Sequence, residues 1–358
     1  MFKFIDLGIV GEYQKIYYLS SLSYSLLLFG SEQSITTRAV RNKNTDLNSY
    51  ASFYLNFFVV GLFFSSLIAF LFTNFGLKEI TIFLTTSISL YVIKIHQTFV
   101  TIEKNLILYY KRGIIMSLLL IVLYYLSMVT EKNDDVIIFF LFRFIIVLML
   151  LYYIIKDINF KLIYKPGLFK FLNIIKKDIY FIIFFTVSNL YLFIDRILLI
   201  DVLDNTSYAN YIFNFSIASF FFLPKMIIAN KFINQSTIDD FRKKVIYKSL
   251  PISILLFLGF IIFYHPLIDF LGLESNFNYL CIIYIIAIID LVLGPNGMVL
   301  QIRYDEKKLI SGEIICLLTF LILFYFLRLN WELILVSYFL TKTFLNFYRL
   351  IQIKSYDR

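Results

Sequence analysis

Charged side chains stand inside stretches of this chain that are otherwise apolar. From Ile179 to Ile200 it reads IYFIIFFTVSNLYLFIDRILLI, 22 residues. About 20 apolar residues cross the ~30 Å hydrocarbon core as a helix, yet this stretch holds Asn189, Asp195 and Arg196. Lys94, Arg143, Lys225 and Lys342 stand in similar stretches, and so does Asp290. One such charge at mid-bilayer costs roughly 2.5–3.5 kcal/mol on insertion scales, so it persists only where it faces protein or water. The chemistry open to the set is recognition of an anion. A guanidinium offers an anionic group a bidentate fork, and an ammonium offers a point charge. The two acids would pair with these bases or carry a proton.

Depth separates the candidates. Lys342 lies near the middle of its stretch. Arg143 lies about 10 Å into its own, at the ~1.5 Å rise of a helix. Snorkelling does not easily explain either. Both read as lining a wet cavity, with an interhelical ion pair as the alternative and Asp290 as a partner. Arg196 follows Asn189 by seven positions, which places the two on nearly the same face. A cavity role for Arg196 stands beside a structural pair with Asp195. Lys225, next to Pro224, and Lys94, near His96, lie closer to the inner ends of their stretches, where a headgroup is as good a partner as a substrate. His96 reads as a satisfied bundle histidine rather than a switch.

These residues require helices to position them, and the pattern predicts eleven spans: A 16–30, B 50–73, C 80–100, D 113–129, E 136–155, F 179–200, G 208–228, H 249–271, I 278–301, J 309–327 and K 332–350. Lys and Arg alternate strictly between the connections. The A–B, C–D, E–F, G–H and I–J connections and the tail hold 23, and the other connections hold 3. Positive charge marks the cytoplasmic side, so the C-terminus is expected inside. Connection 156–178 is rich in Lys, alternates apolar and basic residues at helical spacing, and contains Pro166-Gly167. It reads as an amphipathic interfacial helix between two lobes, 1–155 and 179–358.

Composition agrees with that class. Of 358 residues 60% are hydrophobic and 16% charged, against about 45–50% and 25% in soluble domains, and mean hydropathy is +0.81. The net charge of +9 is the positive-inside bias, so no nucleic acid is expected. Cys281 and Cys316 fall inside apolar spans and read as small hydrophobes, and two distant histidines offer no metal site. GxxxxGK[ST] is absent, so neither a nucleotide nor another cofactor is expected.

Three segments carry a resemblance. The first is IDLGIVGEYQKIYYLSSLSYSLLLFGSEQSITTRAVRNK, with Gly8, Glu12 and Tyr13, then Gly30, Ile35 and Arg38. The second is NLYLFIDRILLIDVLDNTSYANYIFNFSIASF (189–220), and the third is LVLGPNGMVLQIRYDEKKLISGEI (291–314). In order and spacing they resemble Wzx-type polysaccharide flippases, the polysaccharide transport branch of the MOP exporter superfamily. One departure is Gln14, where glycine is common.

The resemblance implies an all-α integral membrane protein with two pseudo-symmetric helical lobes, MOP/MATE-like. Spans A–K would be family helices two to twelve, with helix one missing and residues 1–15 the remains of the loop that followed it. The implied substrate is an undecaprenyl-pyrophosphate-linked oligosaccharide repeat unit for O-antigen or capsule biosynthesis. It would cross the bacterial cytoplasmic (inner) membrane by alternating access, without covalent chemistry and hence without an enzyme's site. Implied partners are membrane lipids and, in the same pathway, a polymerase and a chain-length regulator. Arg38 would anchor a helix end at the cytoplasmic face. A polysaccharide polymerase or ligase would carry a large external loop, and none is present here. A multidrug exporter of the same superfamily would favour acids, whereas the intramembrane set is five bases against Asp195 and Asp290. Cysteine substituted at Asn205 should react with an impermeant external reagent, and cysteine at Ser236 only after permeabilisation; the reverse pattern contradicts the orientation.

Overall fold

The computed structural model describes residues 7–27, 77–102, 168–232, 238–303 and 306–356, with isolated positions 67, 115, 118, 145, 147–149 and 152. Every regular element among them is helical: α1 (Leu7–Leu27), α2 (Leu77–Ile102), α3 (Leu168–Leu198), α4 (Asn205–Phe232), α5 (Ile238–Leu271), α6 (Phe277–Leu293), α7 (Asn296–Arg303), α8 (Glu306–Leu327) and α9 (Trp331–Tyr356). Spans B, D and E lie outside the described residues apart from those isolated positions. Among the described residues four stretches are long and apolar enough to cross a membrane: Asn205–Ala229, Asp240–Phe270, Phe277–Leu300 and Leu309–Leu327. They coincide with predicted spans G, H, I and J. The chain is a multi-pass membrane protein.

It falls into two compact units, one of Met1–Lys15 with Tyr191–Arg358, the other of Ile16–Leu190. In the first, α9 packs against α8, α6, α7 and α4, and α4 also packs against α5 and α6. The core is aromatic: Tyr208, Tyr211, Tyr338, Phe320 and Phe339 are all buried. Both faces of α6 are apolar. Leu280, Ile283, Ala287 and Leu291 are buried, while Ile282, Ile285, Ile289 and Val292 are exposed. A soluble helix would carry polar residues on the second face; this one presents a surface suited to lipid. In the second unit small polar residues lie at the contacts. Ser20 Oγ donates to the carbonyls of Ile16 (2.8 Å) and Phe83 (3.3 Å), and Thr86, Ser87 and Ser89 are buried. Small residues let membrane helices approach closely.

The helices outrun the predicted spans. Residues 7–15 read as loop, but Leu7–Lys15 is the first part of α1. The sequence IVGEYQK lacks a proline to stop it. Gly11 also has a steric role there, since a Cβ would meet the Asn205 carbonyl. Lys15 Nζ then donates to the Leu203 carbonyl at 2.8 Å. The connection expected as a separate interfacial helix enters α3 without interruption from Leu168, directly after Pro166-Gly167. Asp204 caps α4, accepting from Ser207 N at 2.9 Å and Ser207 Oγ at 2.8 Å. Those donors favour the ionised form and hold its carboxyl below the ordinary carboxylate range. This exposed cap's contribution is present at neutral pH and lost as pH falls through the lowered pKa.

Span I, expected to be continuous, is two helices. α6 stops at Leu293, Gly294 takes φ +83°, and α7 starts at Asn296. Pro295 has no N–H to donate and disfavours helix in the residue before it. Gly294→Ala should lower thermal stability in detergent by about 1–3 kcal/mol, because the new Cβ would be strained and 3.3 Å from Arg242 Nε. Gly259→Ala, with nothing within 4 Å, should leave stability equal or raise it by roughly 0.5–1 kcal/mol. Equal melting temperatures for Gly294→Ala and the parent would contradict the assigned backbone.

Candidate functional site

A helix that ends inside a bilayer leaves carbonyls that no water can reach. At the α6 break neighbouring side chains supply the donors. Asn346 Nδ2, from α9, donates to the Asp290 carbonyl at 3.2 Å and the Gly294 carbonyl at 2.9 Å. Asn296 Nδ2 donates to the Leu293 carbonyl at 3.0 Å and back to the Asn346 carbonyl at 3.1 Å. Arg242 Nη2, from near the start of α5, reaches the Leu293 carbonyl at 3.1 Å. A cation there also opposes the negative end of the α6 dipole.

Asp290 lies at the same place and is 3% exposed. Its carboxylate pairs with Lys225 of α4 and accepts from Asn346 Nδ2 at 2.8 Å. Lys225 Nζ also reaches the Asp290 carbonyl at 3.3 Å. The Lys225 ammonium is therefore engaged between helices rather than directed to headgroups, and Asp290 has Lys225 as its basic partner rather than Lys342. Further along α9, Arg349 pairs with Glu313 of α8, and Glu313 is 1% exposed.

Near the end of α3, Asp195 and Arg196 form a third buried pair at 3.3 Å. Tyr211 OH donates to Asp195 Oδ2 at 2.5 Å, Arg196 donates to the Leu192 carbonyl, and its guanidinium lies 4.0 Å from the Phe215 ring centroid. Tyr208 OH donates to the Arg196 carbonyl at 3.0 Å. Tyr191 joins α3 to α9, its hydroxyl 2.7 Å from Thr341 Oγ1 and its ring stacked on Tyr338 at 5.5 Å.

Lys342 differs from these cations. It is half-buried on α9, and among the described residues no carboxylate pairs with it. Its ammonium stands 5.2 Å from the Phe222 ring centroid and 5.8 Å from that of Phe339, and those rings stack on each other at 4.9 Å. Cation–π contact stabilises a lysine by about 0.5–2 kcal/mol without neutralising it. Asp195, Asp290 and Glu313 are the buried acids among the described residues, and each has a basic partner. Lys342 remains as surplus positive charge.

Of the other sequence candidates, Asn189 is half-buried on α3 and belongs to none of these groups. Lys94 lies on α2, with its side chain, like that of His96, outside the described residues; Arg143 and Arg38 are outside them altogether. No group of three or more His, Cys, Asp or Glu close enough to hold a metal occurs among the described residues. Cys281 and Cys316 are free thiols.

Sequence reasoning missed Glu313, Arg349, Asn296 and Asn346. Arg349 falls at the end of span K and was assigned to the tail. Signals were present: turn residues GPNG at 294–297 inside an apolar run, and Lys342, Asn346 and Arg349 at helical spacing along one face of α9.

Lys225→Met or Asp290→Asn alone should each cost about 3–5 kcal/mol by leaving a buried charge unpaired. The double variant should recover most of that loss. Monodisperse protein after detergent extraction and its melting temperature measure this. A double variant no better than the worse single one would remove the pair as the anchor of the break.

No family model matches the chain, and no curated protein matches it. Among solved structures, lipid II flippase MurJ in its inward closed conformation superposes with TM-score 0.58 at 16% identity, over 97% of this chain and 86% of that one. An inward-facing MATE-family multidrug resistance transporter of the MOP superfamily gives TM-score 0.48 at 14% identity, over 96% and 88%. At 16% identity the MurJ likeness is one of fold: the chain shares the helical membrane fold of that flippase.

Proposed function

We propose that the chain is a membrane translocase of the MOP type and that its cargo is an oligosaccharide repeat unit linked to undecaprenyl pyrophosphate. It moves that cargo from the cytoplasmic to the external leaflet of the bacterial inner membrane by alternating access, in the Wzx manner, to supply O-antigen or capsule synthesis. The observation that carries the reading is the charge inventory. Every buried acid among the described residues is spent on a basic partner, and Lys342 is left over in a half-buried aromatic setting. A pyrophosphate headgroup needs such a cation to leave water. The MurJ structure, named a lipid II flippase, shares the fold, which supports a lipid-linked cargo.

The same inventory disfavours a multidrug exporter for cationic drugs, which would want an acid left over. The connections between α3 and α4, α5 and α6, and α8 and α9 hold no more than six residues each. That disfavours a polymerase built on a large external loop. No covalent step is assigned to any residue.

Lys342→Ala should lower surface polysaccharide about ten- to hundredfold, the loss expected for one charge-assisted contact, at unchanged protein in the membrane. Lys342→Arg should retain part of the activity, and Arg143→Ala should behave as Lys342→Ala does. Quantifying polysaccharide beside an immunoblot of membranes tests this. Normal polysaccharide in both alanine variants would contradict the cavity assignment.

A further inference from the structure

A pocket of ≈ 650 Å³ opens where α5 ends and α6 and α9 begin, at the end of the bundle that the charge pattern assigns to the external side. Its volume is that of a small-molecule site. The ion pairs above do not use it. Phe277 and Trp331 line it with aromatic rings backed by buried Tyr264, and Glu274, Glu332 and Asn276 line it with polar side chains.

The wall is built rather than incidental. Asn210 and Asn214, both buried on α4, hold the loop that carries Glu274. Asn210 Oδ1 accepts from the Glu274 N–H at 3.2 Å, Asn214 Nδ2 donates to the Glu274 carbonyl at 3.0 Å, and Ser275 Oγ bonds Asn214 Oδ1. Asn276 and Asn330 cap α6 and α9 through their side-chain oxygens, accepting from Asn278 N at 3.1 Å and Leu333 N at 3.0 Å. The Asn276 side chain also bonds the Glu332 carboxylate, which fixes that acid at the pocket. Phe277 packs against Tyr264 at 5.0 Å and His265 at 6.3 Å, and Trp331 sits edge-on to buried Tyr211 at 6.2 Å.

Ring faces beside carboxylates and carboxamides suit a ligand with an apolar C–H face and a rim of hydroxyls. Carboxylates accept from such hydroxyls, and amide NH2 groups donate to them. A metal ion would have two carboxylates and one histidine at most, and no metal-holding group occurs among the described residues. We infer that this pocket binds carbohydrate, one sugar ring stacked on its aromatic wall with its hydroxyls shared between Glu274 and Glu332. That the sugar is the exported headgroup rests on the flippase reading; that the ligand is a saccharide does not.

Trp331 is the only tryptophan in the chain, so its emission reports on this pocket directly. The full chain in nanodiscs would be titrated with oligosaccharide released by mild acid from the source cell's own surface polysaccharide. A saturable change in emission is expected. Glu274→Gln, Glu332→Gln and Phe277→Ala should each weaken it about tenfold, with gel filtration verifying that each variant stays monodisperse. No saturable change, an identical curve in all three variants, or a response to calcium or spermidine in place of saccharide would each overturn the inference. Translocation of the lipid-linked form, measured in the same preparation, separates the two ideas. Translocation without a Trp331 response retires the pocket and leaves the flippase. A saccharide response without translocation keeps the pocket and retires the flippase.

Discussion

The side chains around Asp290 satisfy a helix end that the bilayer would otherwise leave bare. Pro295 and Gly294 break the apolar run of Phe277–Leu300, and lipid has no water to hydrogen-bond the carbonyls so exposed. Asn346, Asn296, Arg242 and Lys225 provide the donors, and Asp290 holds Lys225 in place. These residues come from α4, α5, α7 and α9, so the break draws together most of the C-terminal unit. The polar residues of these spans are therefore mainly structural. The same constraint explains why the three buried acids among the described residues each sit beside a base: an unpaired charge in this setting would cost several kcal/mol.

Against that background Lys342, which no carboxylate pairs with among the described residues, acquires meaning. Lys342 lies four residues before Asn346 and seven before Arg349, on the same face of α9, yet it rests on Phe222 and Phe339 rather than on an acid. Aromatic rings hold an ammonium without cancelling its charge. An anionic group entering beside α9 would meet it with little competition. That arrangement suits a substrate with a phosphate-bearing head better than one that is cationic.

Much of the architecture was legible in the chain itself. The apolar runs and alternating basic connections located spans G, H, I and J, because hydropathy and loop charge are properties of segments rather than of partners. Helix ends were less legible. The first turns of α1, α3 and α5 are polar enough to read as connections, since an amphipathic extension at the interface need not be apolar. Partners were least legible. Asp290 was recognised as costly, but whether Lys225 or Lys342 would meet it depends on how α4, α6 and α9 pack, which no spacing within one helix encodes. Glu313 and Arg349 escaped for the same reason, each standing near the end of its span, where a charge calls for no explanation. The GPNG turn at 294–297 lies within one of the segments that carry the family resemblance, and its glycine and proline mark where span I breaks.

The most direct measurement is transport by the purified chain in proteoliposomes, with a fluorescent undecaprenyl-pyrophosphate-linked oligosaccharide on one leaflet and a cationic dye in a parallel assay. The account predicts that the lipid-linked oligosaccharide crosses, that inorganic pyrophosphate competes with it, and that the dye does not move. Transport of the dye with no movement of the anionic lipid would contradict it, because the surplus charge on α9 would then have the wrong sign for the cargo.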